Sequence, residues 1–187
     1  VISAPAKSDP EGEQHQTILM GVNDDNLSVC TVSSNASCTT NAGSPVMTIL
    51  DEEIGIEKAV LNTIHGYTAT QSIVDGPKKG DFRKGRAAAQ NIIPSTTGAA
   101  IATNKALPQL EGKFDGVAVR VPVIVGSIAD ITFIAKKDTT VEEINETLQK
   151  ASLDERWEGI FSATNEPIVS QDIVGNTNDS IADLSFT

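Results

Sequence analysis

Ser37-Cys38-Thr39-Thr40-Asn41 decides how this chain is read, because it places a thiol among hydroxyl and amide side chains where a helix can begin. Upstream, Leu27-Ser28-Val29-Cys30-Thr31-Val32 is rich in β-branched residues and predicts a strand. Downstream, Pro45 suits a first helical turn, and Val46, Ile49, Leu50 and Ile54 recur at the spacing of one helical face. Gly55 suits the C-cap of that helix. Cys38 is therefore expected at a strand-to-helix junction. Unpaired backbone N–H groups there favour an anion and lower a thiol pKa.

The next strand reads from Ala59 to Thr68 and carries His65 near its end. A helix and a returning strand bring Cys38 and His65 within reach of each other, and an imidazole beside a thiol holds it as a thiolate. Residue types alone favour an inert thiol and a structural histidine over a catalytic pair. The other histidine, His15, falls in a polar loop over 6–16 and is expected to be solvated. Around the candidate pair, Ser37, Thr39, Thr68, Thr96 and Thr97 offer hydroxyls, and Gly98 allows close backbone approach at a helix start. Arg83, Arg86 and Arg120 are the candidate cations for small anions such as phosphate. Arg120 stands out, since Val117-Ala118-Val119-Arg120-Val121 would carry a charge off a half-buried strand. Lys78, Lys79 and Lys84 read as a solvated loop face.

The remaining pattern supplies a frame. A short strand is expected over 17–22, a turn over 23–26, and a long Gly- and Lys-rich loop over 71–86. A short helix is expected from Arg86 to Ile93, stopped by Pro94, and another from Ala99 to Leu107. Strands follow over 116–123 and 127–136. Helix 140–151 opens on the capping box Thr140-Val141-Glu142-Glu143, and strands are expected over 159–164 and 167–174 and again from Ser180. This order does not alternate strictly. It predicts an α+β fold, a mixed, mostly antiparallel sheet with helices on one face.

Composition narrows the function. A net charge of −11 over 187 residues disfavours a phosphate backbone as partner. No apolar run is long enough to span a bilayer. Two cysteines make neither a disulfide framework nor a zinc pattern, which fits a reducing cytoplasm, and Cys30 is expected as a small core hydrophobe. The opening Val1-Ile2-Ser3-Ala4-Pro5 has no initiating Met and reads as a strand under way inside a longer protein.

Several motifs together resemble phosphorylating glyceraldehyde-3-phosphate dehydrogenase. Ser34-Asn35-Ala36-Ser37-Cys38-Thr39-Thr40-Asn41 is similar to its active-site signature, and Thr63-Ile64-His65-Gly66-Tyr67-Thr68-Ala69-Thr70-Gln71 to its histidine strand. Val74-Asp75-Gly76-Pro77, then Arg83 to Arg86 and Ala88 to Pro94, resemble its inter-subunit loop and the segment that follows. Ser95-Thr96-Thr97-Gly98-Ala99-Ala100 and Val119-Arg120-Val121-Pro122 match two further motifs.

The resemblance implies that Cys38 attacks the aldehyde carbon of glyceraldehyde 3-phosphate and that His65 moves protons. It implies that Thr68 and Arg120 hold the substrate phosphate, and that Ser37, Thr39, Thr97, Gly98 and Arg83 line the place of the attacking phosphate. Arg86 stays open as an alternative to Arg83. It further implies NAD or NADP as cofactor, a homotetramer, and a cytoplasmic place in glycolysis. Residues 1–37 would be the remnant of a dinucleotide-binding domain, and 38–187 a catalytic domain lacking its final strand and helix. No Gly-x-Gly-x-x-Gly occurs in the chain, so the chain alone is expected to be inactive as a dehydrogenase. Two departures stand out: Ala42 where the family commonly has a second cysteine, and Val123-Ile124-Val125 where it has Thr-Pro-Asn. The competing expectations are erythrose-4-phosphate dehydrogenase and a non-catalytic binding or redox-sensing module.

Overall fold

A computed structural model describes residues 1–6 and 15–187, so most of the polar loop expected over 6–16 lies outside the described residues. The centre of the fold is β3 (Ile56–Gly66). Its Ala59, Leu61 and Thr63 are buried while Val60 between them is exposed, the period-2 signature of a strand with one covered face. β5 (Phe114–Val121) pairs with it in parallel and β6 (Ser127–Ala135) antiparallel. β4 (Ile93–Thr96) closes the other edge, antiparallel to β5, giving the order β4-β5-β3-β6. Two of the three pairings are antiparallel, as expected of the mixed sheet. The strands over 116–123 and 127–136 are both present, but β3 lies between them.

Helix α1 (Cys38–Glu53) covers one face of the sheet and packs against α2 (Ala99–Ala106) and α3 (Val141–Ala151). Met47, Ile49, Leu50, Leu61, Phe114 and Phe161 form the heart of the core. Ser44 and Thr103, buried with them, share a hydroxyl hydrogen bond at 3.0 Å between α1 and α2, whereas the buried Thr63 hydroxyl on β3 has no partner among the described residues. Gly55 ends α1 at φ 83°, the left-handed position expected of it. The helix begins seven residues before Pro45, not at it. Pro45 stands inside, and its missing N–H leaves the Asn41 carbonyl without the usual i−4 donor.

Other expectations are corrected. The first half of the segment read as a strand over 27–32 is the end of a 3-10 turn (Asp24–Val29), and the strand is the shorter β2 (Val32–Ser34). β2 pairs in parallel with β1 (His15–Thr17), which takes the place of the strand expected over 17–22. His15 is thus a half-buried strand residue, not a solvated loop residue. Cys30 is half-buried rather than core, its thiol 3.8 Å from the Leu27 carbonyl. The helix expected over 86–93 is a single 3-10 turn (Ala88–Gln90) followed by β4. Pro94, read as a helix stop, sits in an edge strand, where a missing donor costs least. Of the two late strands, β7 (Phe161–Thr164) forms and pairs in parallel with β8 (Ser180–Asp183), whereas 167–174 is irregular.

The capping box is present in modified form. Thr140 Oγ1 accepts from the Glu143 N–H at 3.2 Å, but the Glu143 carboxylate accepts from the Thr139 hydroxyl at 2.9 Å. Thr140→Ala is expected to lower stability by about 1 kcal/mol, read as a lower urea midpoint at unchanged slope. No described helix is long and apolar enough to cross a membrane.

The candidate active site

The chain turns sharply from β2 into α1. Ala36 takes φ 55°, the one non-glycine residue at positive φ among the described residues, at a cost of about 1–2 kcal/mol. Ser37 then caps α1, its Oγ accepting from the Thr40 N–H at 3.2 Å and meeting the Thr40 hydroxyl at 2.8 Å. Asn41 fastens the elbow from within, donating to the Asn35 and Ser37 carbonyls at 2.8 and 2.9 Å. Cys38 is therefore the first helical residue, exposed, with its own N–H free of any partner among the described residues.

His65 reaches it from the end of β3. Cys38 Sγ lies 3.3 Å from His65 Nε2. The opposite ring nitrogen, Nδ1, is 2.6 Å from the Gly66 carbonyl and 3.0 Å from Arg120 Nη1. A guanidinium donates only, so Nδ1 cannot carry a proton and also accept from Arg120. The Gly66 carbonyl decides between them. It accepts from Nδ1–H and also from Arg120 Nη1 at 3.1 Å. Nε2 is then left to face the sulfur, as acceptor from a thiol or donor to a thiolate.

The electrostatics follow. The His65 hydrogen bond lowers the Cys38 pKa to about 7; burial opposes it, and the charge of His65 with the Thr39 backbone and hydroxyl add to it. The Cys38 hydrogen bond raises the His65 pKa, with the Gly66 carbonyl and the thiolate charge assisting, while burial and the Arg120 charge oppose. The two shifts run towards each other and favour a thiolate–imidazolium pair near neutrality.

Backbone packing holds this arrangement. His65 lies opposite Arg120 on β5 and Ser127 on β6. A Cβ on Gly66 would stand 2.6 Å from the Val123 carbonyl, so only glycine fits under the β5–β6 loop. The Gly66 and Tyr67 N–H groups donate to the Gly126 and Val123 carbonyls at 3.1 Å each.

The other expected residues are placed less tightly. Arg120 joins the pair directly, and its Nε and Nη2 make no hydrogen bond among the described residues. Thr68 lies just past β3, its hydroxyl 3.1 Å from that of Thr70. Thr39 is buried in the first turn of α1. Thr97 Oγ1 accepts from the Ala99 N–H at 3.1 Å, and Gly98 caps α2 without a side chain. Arg83 is exposed, its side chain without an ion pair among the described residues. Arg86 is engaged: its Nε donates to Asp75 at 3.0 Å, and together with the Ala87 N–H it holds the Asp75 carboxyl below the usual range. Neither arginine contacts the Cys38–His65 pair. Sequence reading missed the Gly66 carbonyl, a main-chain group with no side-chain signal, and the strained elbow at Ala36.

Comparison with known proteins agrees with this geometry. The model of the glyceraldehyde 3-phosphate dehydrogenase C-terminal domain matches residues 37–187. Over 186 residues, 99% of this chain and 54% of the relative, it is 47% identical to glyceraldehyde-3-phosphate dehydrogenase 1 of Candida glabrata. Identity is also 47% to the glyceraldehyde-3-phosphate dehydrogenases of Streptomyces coelicolor (100% of this chain, 54% of the relative) and Borreliella burgdorferi (98% and 53%). The chain spans about half the length of the curated relatives it matches. From the elbow at Ala36 to the paired sulfur and imidazole, sequence and geometry agree that this chain belongs to the glyceraldehyde 3-phosphate dehydrogenase family, through its C-terminal domain.

Proposed function

We propose that this chain is the catalytic part of a glycolytic, cytoplasmic enzyme that oxidises glyceraldehyde 3-phosphate to 1,3-bisphosphoglycerate, with inorganic phosphate as acyl acceptor. The observation that carries this reading is the 3.3 Å contact between an exposed, acidified thiol and an imidazole whose far side is fixed by a carbonyl. The Cys38 thiolate adds to the aldehyde carbon. The His65 Nε2–H gives its proton to the carbonyl oxygen as charge develops there, and the free Cys38 N–H at the start of α1 faces the same charge. Nε2 takes the hydroxyl proton back as the carbon is oxidised, leaving a thioester on Cys38. Phosphate then attacks that thioester, the sulfur leaves as thiolate, and the imidazolium receives it.

Thr68 and the free donors of Arg120 hold the substrate phosphate. Ser37, Thr39, Thr97, Gly98 and Arg83 serve the attacking one, and Arg83 is preferred to Arg86 because Arg86 already holds Asp75. NAD or NADP supplies the two-electron acceptor when bound. The residues here fit its reacting end only: Cys38 is open to a flat ring, but the chain has no glycine-rich loop to cradle a dinucleotide diphosphate. A homotetramer completes the reading. Val60, Val117, Ile128 and Ile134, each more than half exposed, form an apolar patch interrupted by Asn62, Asp115, Asp130 and Thr132 on the face of the sheet opposite α1.

Thioester exchange needs no electron acceptor and isolates the chemistry of this chain. Incubation with 1,3-bisphosphoglycerate is expected to transfer the 3-phosphoglyceroyl group to Cys38 with release of phosphate, seen as an intact-mass adduct that Cys38→Ala lacks. The same protein is expected to form no NADH from aldehyde, NAD and phosphate. Absence of the adduct sinks the enzymatic reading and leaves the redox-sensing one. NADH formation by this chain alone overturns the assignment of dinucleotide binding to residues outside it.

A further inference from the structure

The contacts of Arg120 make an unusual electrostatic statement. Its guanidinium lies 3.0 Å from Nδ1, the side of the imidazole turned away from sulfur. Nε2 and Sγ follow on the far side, 3.3 Å apart. Cation, ring and sulfur therefore stand in sequence. A positive charge at that end opposes an imidazolium, its near neighbour, more than it favours a thiolate beyond the ring. The same Nη1 also shares the Gly66 carbonyl with Nδ1–H, weakening the one acceptor that steadies a protonated ring. No other titratable group meets His65 among the described residues. β6 opposes it with Ser127, β4 meets Arg120 with Ile93, and α1 contributes Cys38.

We propose that Arg120 tunes the pair by its charge: an oxyanion taken up by its guanidinium raises the share of the Cys38–His65 contact held as thiolate and imidazolium. The free Nε and Nη2 donors take the oxyanion. Its charge cancels the cation facing the ring, and drawing the guanidinium outward leaves the Gly66 carbonyl to Nδ1–H. Both effects have the same sign. The proton moves from Sγ to Nε2 within the pair, so no charge is gained or lost. The nucleophile thereby becomes more reactive when a phosphoryl group is in place. This rests on the reading that Arg120 holds the substrate phosphate. Arg120 acts here as a positioning residue of charge, through His65, rather than on the reacting carbon.

Sulfate is a suitable probe, being a dianion whose charge is constant across the relevant pH range. Ring nitrogen shifts of His65 in the 187-residue chain are followed by nuclear magnetic resonance against pH, with sulfate or chloride at matched ionic strength. Sulfate is expected to raise the pH at which His65 loses its proton by about half a unit, roughly a threefold change in proton affinity. Iodoacetamide alkylation near neutrality is expected to quicken with it. Arg120→Gln removes the cation permanently, so its His65 titrates high in chloride and ignores sulfate. Arg120→Lys keeps the charge and retains a response.

A His65 titration that is the same in wild type and Arg120→Gln in chloride overturns the proposal. So does a wild type indifferent to sulfate, or an undiminished sulfate response in Arg120→Gln. None of these readouts involves substrate, so failure here leaves the acyl-transfer result standing, and failure of acyl transfer leaves this titration readable.

Discussion

Replacing His65 with alanine is expected to slow iodoacetamide alkylation of Cys38 roughly tenfold at about pH 6, and to raise the midpoint of the pH–rate profile by about one to two units. The sign follows from the causes of the shift. The imidazole is the largest influence holding the thiol down at about 7, while burial pushes the other way and remains after the substitution. Thr39 and the start of α1 still favour the thiolate while burial still opposes it, so the rise reflects the loss of the imidazole. A two-unit rise lowers the thiolate fraction at about pH 6 roughly a hundredfold, but a more basic thiolate is a better nucleophile and regains about eightfold of that. A profile unchanged in His65→Ala would remove the imidazole as the cause of the acidity and, with it, the basis for a thiolate–imidazolium nucleophile. The alkylation is read on protein whose circular dichroism matches wild type.

Trp157→Ala is expected to cost about 3–5 kcal/mol, measured as a fall in the urea midpoint. Trp157 is 4% exposed and lies edge-on to Phe161 with centroids 6.5 Å apart. It also receives Gly21, where a Cβ would stand 3.0 Å from the indole, so the ring is one wall of the seat for the segment leading to β2. Arg156 covers it at 4.7 Å, gripping Glu52 at 2.8 and 3.1 Å and the Gly21 carbonyl at 2.7 Å. Arg156→Lys, which keeps charge and stem but loses the fork, should cost far less, since its ion pair with Glu52 is largely exposed. If the two variants are equally destabilised, the guanidinium rather than the indole holds this corner.

The long, regular elements were legible in the sequence because their patterns are redundant. β3 and β6 alternate, α3 has both a stripe and a cap, and α1 ends at a glycine in the left-handed region. The misreadings cluster where neighbours override local preference. Leu27 to Val32 has strand-forming residues, but in the structure its first half ends a 3-10 turn and only Val32–Ser34 pairs, alongside β1. Pro94 was legible as a helix stop only by ignoring that an edge strand tolerates it equally well. The site divides the same way. Cys38, His65 and Arg120 are side chains with chemistry of their own, and the fold brings those three together. The carbonyl that orients the imidazole belongs to a glycine, and no residue pattern announces it. The hydroxyls of Thr68 and Thr97 bond only to near neighbours in the chain, so their service to phosphate stays a proposal.

The register of β3 beside β5 has a consequence for how the protein matures. His65 and Arg120 are 55 positions apart and meet only because two parallel strands align over eight pairs, a closure that small chains reach late. Cys38 meets His65 only once α1 is seated against β3. The sharpened reactivity of the sulfur is thus a property of the finished tertiary structure. In a refolding experiment, rapid labelling at mildly acidic pH will mark time like a stopwatch, starting when the last strand has docked.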